Sequence, residues 1–268
     1  MRLASDLLMQ YILCDRNVAC KDLRSVNILG EFDYFNRSTV ELCKILRNIG
    51  IEKINYIPGK SSVSELKKSK EACLNIISCQ NASRHLAELM EKELGIPWIG
   101  KANSLYGVEN SYYFYKEIYK FFGRNSSDIE DAKDRAMLKM EEYRRILMDK
   151  TAVVVASTRR SLGYSEILRE LGIKIQLLFS EGDDICTSKN EFMKYSHNVM
   201  YNEYANELAE KIERLNADFV FTTLPEIVAP VKYIQRPEID YAGIEGALRL
   251  GDYLCSMMNE KRKIIIEN

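Results

Sequence analysis

The chain has 268 residues, enough for two domains that each bury a core of their own. Apolar residues make up 46% and charged residues 29%, the balance of a globular protein and not of a disordered or membrane-spanning one. A formal net charge of -1 argues against a surface built to neutralise a phosphate backbone, so nucleic acid is not an expected partner.

In chain order, the first residues read as the start of a helix whose apolar stretch, 7–13, is short and interrupted by Gln10. Val26-Asn27-Ile28-Leu29-Gly30 is the first clear strand. Ser38 can cap a helix carrying Leu42, Ile45, Leu46 and Ile49, stopped by Gly50. Strands at 53–57 and 74–78 enclose a lysine-rich helix, and a helix from about 81 ends at Gly95 before a strand at 96–99. An aromatic helix over 112–122 leads to a long charged helix opened by Ser127-x-x-Glu130. The second half starts with the strand Ala152-Val153-Val154-Val155-Ala156 and a helix carrying Tyr164, Ile167, Leu168 and Leu171. It continues with strands at 173–179, near Val199 and at 218–223, a helix with Tyr204, Leu208, Ile212 and Leu215, and a last helix over 242–258. This alternation predicts an α/β fold: two Rossmann-like domains with parallel sheets flanked by helices. The expected boundaries are 1–124 for the first domain, 125–150 for a connecting helix and 151–268 for the second domain.

No run approaches the ~20 apolar residues needed to span a bilayer. With no signal-like N-terminus, a cytoplasmic protein without a membrane partner is expected. Seven cysteines, an odd number with no C-x-x-C pair, fit reduced thiols and exclude a zinc ribbon or a ferredoxin-type site built from one segment. Any metal must therefore be held by residues distant in sequence or shared with another chain.

Parallel sheets bind ligands beyond the carboxyl ends of their strands, which selects 30–36, 78–83, 157–161, 180–184 and 222–226. Cys79 stands between a β-rich run and a helix start, a setting that favours the metal-ligating thiolate. A small buried hydrophobe is the alternative reading of such a cysteine, and the one that chemistry alone favours. Arg159 and Arg160 occupy the equivalent loop of the second half, where guanidinium groups can face an anion or form an exposed basic turn. Asp183-Asp184 reads as a solvated loop. The two histidines, His85 and His197, have no obvious acid or nucleophile beside them in the sequence. Dinucleotide, P-loop and hydrolase signatures are absent.

Several blocks resemble nitrogenase component 1 proteins. Val26-Asn27-Ile28-Leu29-Gly30-Glu31-Phe32 looks like that family's V-N-I-x-G-E-F/Y strand. Leu74-Asn75-Ile76-Ile77-Ser78-Cys79, with Met90-Glu91-Lys92-Glu93-Leu94-Gly95-Ile96-Pro97-Trp98, resembles its N-L/I-V-x-C and M-E-E-K-Y-G-I-P-W/Y block. Leu105-Tyr106-Gly107-Val108 matches the turn after it, and Tyr241-Ala242-Gly243-Ile244-Glu245-Gly246 resembles Y-A-G-Y-E-G. The order is kept along nearly the whole chain.

The resemblance implies Rossmann-like domains and an iron–sulfur-based metal cluster, like the iron–molybdenum cofactor or its precursor, bound between two domains. It implies two partners, a second component 1-like subunit and an ATP-dependent iron–sulfur reductase. Cys79 matches the family's cofactor-ligating cysteine, and Arg160, with Arg159 as a register alternative, falls near its cofactor-pocket arginine. The histidine that catalytic members carry before Y-x-G-Y-D/E-G has no counterpart in Tyr233-Ile234-Gln235-Arg236-Pro237-Glu238, and scaffold-type members lack it too. Cys14 and Cys20 do not reproduce the cysteines of the family's N-terminal domain, so a truncated or split subunit is the expectation. The leading reading is an oxidoreductase component or metallocluster scaffold. The alternatives are a non-catalytic paralogue acting by binding, or a tetrapyrrole-reducing relative.

Overall fold

The computed structural model describes residues 2–13, 21–31, 39–59, 61–101, 104–181, 189–201, 205–222, 234–235 and 241–259. The chain forms two compact units, one of Met1–Ser104 with Tyr113–Ser127, the other of Leu105–Tyr112 with Asp128–Asn268. Each is an α/β layer structure with a parallel sheet, as the alternating pattern predicts.

Unit 1 contains α1 (Arg2–Leu13), β1 (Asp22–Glu31), α2 (Val40–Asn48), β2 (Lys53–Pro58), α3 (Val63–Lys68), β3 (Ala72–Ile77), α4 (Gln80–Leu94) and β4 (Trp98–Ile99). It also takes most of α5 (Val108–Phe121). The strand order is β2-β1-β3-β4, all parallel. Every residue of β3 is buried, as expected of a strand covered on both faces. Met9 and Ile12 of α1 and Leu86 and Met90 of α4 pack with Leu29, Ile57 and Ile77 of the sheet. The apolar positions of α2, Leu42, Ile45 and Leu46, are its buried face. Ser62 caps α3 through a reciprocal box with Glu65.

Three asparagines set the register of this sheet. Asn27 of β1 is level with Asn55 of β2 and Asn75 of β3. Asn55 Nδ2 donates to Asn27 Oδ1 at 2.9 Å, and Asn27 Nδ2 donates to Asn75 Oδ1 at 2.8 Å. Asn27 Nδ2 also reaches the Ser69 carbonyl at 2.9 Å. A buried amide is costly unless paired, so sliding one strand by one residue would leave these groups unsatisfied.

Unit 2 holds α6 (Ser127–Leu147) almost entirely, β5 (Thr151–Ser157), α7 (Thr158–Glu170), β6 (Lys174–Glu181) and α8 (Lys189–Met193). It continues with β7 (Val199–Tyr201), α9 (Ala205–Leu215), β8 (Phe219–Thr222), β9 (Ile234–Gln235) and α10 (Ile244–Asn259). The order is β7-β6-β5-β8-β9, again parallel throughout. Val153, Val155, Leu177, Phe179 and Val220 form one face of the core, with Leu208 and Ile212 of α9 on it.

Packing in unit 2 depends on glycines against aromatic rings. Gly163 abuts the Tyr106 ring and Gly251 the Tyr143 ring, each so closely that a Cβ would overlap the ring. Tyr164 lies among Phe221, Tyr106 and Tyr241 at centroid distances of 6.0, 6.2 and 6.2 Å. The Gly243 amide donates to the Leu105 carbonyl at 2.6 Å, joining two blocks far apart in sequence. The buried Glu170 carboxylate caps α5, accepting from the Val108 and Glu109 amides at 2.8 and 3.1 Å.

The start of α6 differs from the expected capping box. Ser127 lies inside the helix, its amide donates to Asn125 Oδ1 at 2.8 Å, and Glu130 Oε1 accepts from the Tyr112 hydroxyl at 3.3 Å. Asn125 offers the same short acceptor two residues earlier. The pattern did not predict α8 and β9, which are too short to show a period. No helix among the described residues is long and apolar enough to cross a membrane.

Candidate functional site

The strand orders locate a crevice in each unit. In unit 1 the chain moves outward from β1 to β2 and returns on the other side of β1 as β3, so the order reverses between β1 and β3. At the carboxyl ends of those two strands stand Gly30 and the Ser78-Cys79 segment. In unit 2 the reversal falls between β5 and β8, and the carboxyl end of β5 leads into Arg159 and Arg160.

Cys79 is the N-cap of α4 and is partly exposed. The residues around it fix its backbone. The Leu29 carbonyl accepts from the Ser78 amide at 2.9 Å, the Ser78 hydroxyl at 3.1 Å and the Ser83 hydroxyl at 3.2 Å. The Cys79 carbonyl accepts from the Ser83 amide at 3.1 Å and its hydroxyl at 2.6 Å. Gly30, at φ +93°, approaches closely enough that a Cβ there would sit 2.9 Å from Cys79 Cβ. No other residue combines that backbone angle with that contact. The Cys79 side chain forms no capping hydrogen bond, and the first turn of α4 contains no acid. The result is a thiol on a rigid backbone at a strand-to-helix junction. Sequence reading places Gly30, Ser78 and Ser83 at the ends of its candidate segments but assigns a role only to Cys79. Their signal was a glycine ending one strand and serines flanking the cysteine, too common a pattern to stand out.

Arg159 and Arg160 lie in the first turn of α7, after the N-cap Ser157, and both are half-buried. The Arg159 guanidinium lies over the Tyr106 ring, 5.6 Å from its centroid. The junction is tied by Thr158 Oγ1 to Ser180 Oγ at 2.9 Å. Ser161 Oγ donates to the Ala156 and Phe179 carbonyls at 2.9 and 2.7 Å. Cys79 therefore belongs to unit 1 and the two arginines to unit 2.

His85 has an acid beside it after all. Its Nε2 is 3.0 Å from Asp6 Oδ1, tying α4 to α1 across 79 residues of sequence. Such a long-range pair has no sequence spacing to reveal it. Asp183-Asp184, Cys14, Cys20 and, apart from Ile234 and Gln235, the 233–238 stretch lie outside the described residues.

Other titratable groups have structural work. Burial is the main cause that raises the Glu170 carboxyl to about 7, against the opposing hydrogen bonds from the Val108 and Glu109 amides. Burial also raises the Cys73 and Cys255 thiols, which leaves them in the unreactive form. Among the described residues no three His, Cys, Asp or Glu side chains stand close enough to hold a bare metal ion.

Residues 3–258 match the family described as "Nitrogenase component 1 type Oxidoreductase". The chain is similar to the nitrogenase molybdenum-iron protein alpha chain of Methanosarcina barkeri, 25% identical over 179 residues, 65% of this chain and 33% of that one. It is also similar to the nitrogenase iron-molybdenum cofactor biosynthesis protein NifE of Methanococcus maripaludis, 26% identical over 184 residues, 65% of this chain and 37% of that one. Similarity to a light-independent protochlorophyllide reductase subunit of Chlorokybus atmophyticus is 26% over 271 residues, 89% of this chain and 52% of that one. Among solved structures, "Nitrogenase Cp1 at pH 5" shares the fold with a TM-score of 0.70 at 18% identity, covering 94% of this chain and 62% of that one. The chain thus spans about a third to a half of the length of these curated relatives. With its two parallel-sheet units and a match over residues 3–258, this chain belongs to the nitrogenase component 1 type oxidoreductase family.

Proposed function

We propose that this chain holds a preassembled iron–sulfur-based metal cluster, of the iron–molybdenum-cofactor or precursor type, through the thiolate of Cys79. The observation that carries this reading is the junction itself. The backbone of Cys79 is fixed by Ser78, Ser83 and Gly30, while its thiol takes no part in those bonds. A cluster bound there would supply redox chemistry. The chain's own residues would anchor one iron and hold the approach to it rigid. Arg159 and Arg160, at the equivalent junction of unit 2, would offer positive charge to an anion bound there. Electrons would come from an ATP-dependent iron–sulfur reductase, through a second component 1-like subunit.

Anaerobic loading with a preformed iron–sulfur cluster tests this. The expected result is sulfide-to-iron charge-transfer absorbance that is lost in Cys79→Ala, with the far-UV circular dichroism unchanged. Equal loading of the variant would overturn the assignment. A second reading has one observation in its favour. The similarity to the protochlorophyllide reductase subunit covers 89% of this chain, more than either nitrogen-fixation relative does. In that reading the ligand is a tetrapyrrole, and a shifted porphyrin absorbance band on mixing, with no gain from the preformed cluster, would select it. Binding of neither would favour a non-catalytic interaction protein.

A further inference from the structure

Unit 1 has an open cleft of about 650 Å³ beside β4, lined by residues that the proposed cluster site does not use. Here β4 is only two residues long, ends at Ile99 and is followed by Gly100. With φ +133° and no side chain, Gly100 lies against Ile77, where a Cβ would fall 2.6 Å from the Ile77 carbonyl oxygen. The strand stops short, and the carboxyl edge of the sheet stays open beside the first turns of α4.

The lining divides into two chemistries. Trp98, Ile99 and Phe121 are apolar, and the Phe121 ring is 41% exposed, with its edge-on neighbour Phe122 at a centroid distance of 5.0 Å. Arg84, Lys101 and Lys120 bring three cations to the lining, Arg84 paired with Glu88 at 2.8 Å and Glu117 the acid that lines the cleft with them. The Trp98 indole N–H donates to Glu91 Oε2 at 3.1 Å, which holds the ring in place. The volume lies within the ordinary range for small-molecule sites, about 300–1,000 Å³, and an apolar floor with a few placed charges is their usual anatomy. Aromatic side chains stack with bases, and Lys and Arg pair with phosphate.

We propose that this cleft binds a nucleoside phosphate, its base against Trp98 and Phe121 and its phosphates toward Lys101, Lys120 and Arg84. Neither half of the lining accounts for the other. A purely ionic site has no need of two aromatic rings, and a purely apolar one has no need of three cations. The proposal does not depend on cluster binding.

Trp98 is the single tryptophan of the chain, so its emission reports the cleft directly. ATP titrated into the purified full chain should give a saturable change in that emission. Adenosine and tripolyphosphate should each bind at least about tenfold more weakly. The Lys101→Glu, Lys120→Glu double variant alters two exposed side chains and should weaken ATP at least about tenfold, with its circular dichroism unchanged. Three results would each overturn the proposal. The first is neither a change in emission nor a calorimetric heat up to about 5 mM ATP, a concentration that would detect even millimolar affinity. The second is an unchanged ATP affinity in the double variant. The third is tripolyphosphate binding as tightly as ATP.

Discussion

The two strand-to-helix junctions at the order reversals, β3–α4 in unit 1 and β5–α7 in unit 2, have the same topology and opposite chemistry. At the first, small side chains and a glycine lock the backbone while a partly exposed thiol stays outside the hydrogen bonds. At the second, the polar groups bond to strand ends, and Arg159 lies over the buried ring of Tyr106. Topology therefore decides where a ligand can sit, and the first residues of the following helix decide whether a reactive group is on offer there. The family likeness carries both kinds of residue. Asn27, Asn75, Gly243 and Gly246 lie in its blocks and serve register or packing through the groups that define them, whereas Cys79, in the same blocks, caps α4 through its backbone and leaves its thiol out of the capping bonds.

Substitutions in each unit break or sharpen that contrast. The largest stability effect belongs to Asn27→Leu, which strands the amides of Asn55 and Asn75 in the sheet of unit 1. A loss of about 3 kcal/mol or more is expected in urea unfolding. In unit 2, Glu170 is ordinary at 4.5 when unfolded and about 7 when folded, so the folded state binds more protons between those values. Stability should therefore fall as pH rises through that window, by an amount on the order of 3 kcal/mol, and the fall should be absent in Glu170→Gln. Denaturant midpoints of wild type and variant at about pH 5 and 7.5 measure the difference. Gly163→Ala forces a methyl group into the Tyr106 ring and should cost about 2 kcal/mol, read as a lower melting temperature. Ser83→Ala removes the hydroxyl bonds to the Leu29 and Cys79 carbonyls and should cost only about 1 kcal/mol. If cluster loading falls by more than that small loss implies, the rigidity of the Cys79 backbone is part of the site.

The fold was legible because both sheets are parallel and covered on both faces. Apolar runs such as 152–156 read as strands, and helical faces such as Leu42, Ile45 and Leu46 read directly from their spacing. The candidate site was legible at one residue, Cys79, through its place between a strand and a helix and through the family blocks. Its support was not. Gly30 and Ser83 act through contacts across 49 and 4 positions, and serine and glycine carry no pattern of their own. The Glu170 cap on α5 and the His85–Asp6 pair span 62 and 79 positions, distances that no local period encodes. Arg159 shows the converse: the sequence reads as a loop there, whereas Arg159 lies in the first turn of α7, and its aromatic neighbour Tyr106 lies 53 residues earlier in the chain.

The most direct test compares the iron content and charge-transfer absorbance of wild type and Cys79→Ala after anaerobic loading. Full loss is expected in Cys79→Ala. A Cys79→Ala protein that loads like wild type, with its fold intact, would contradict it.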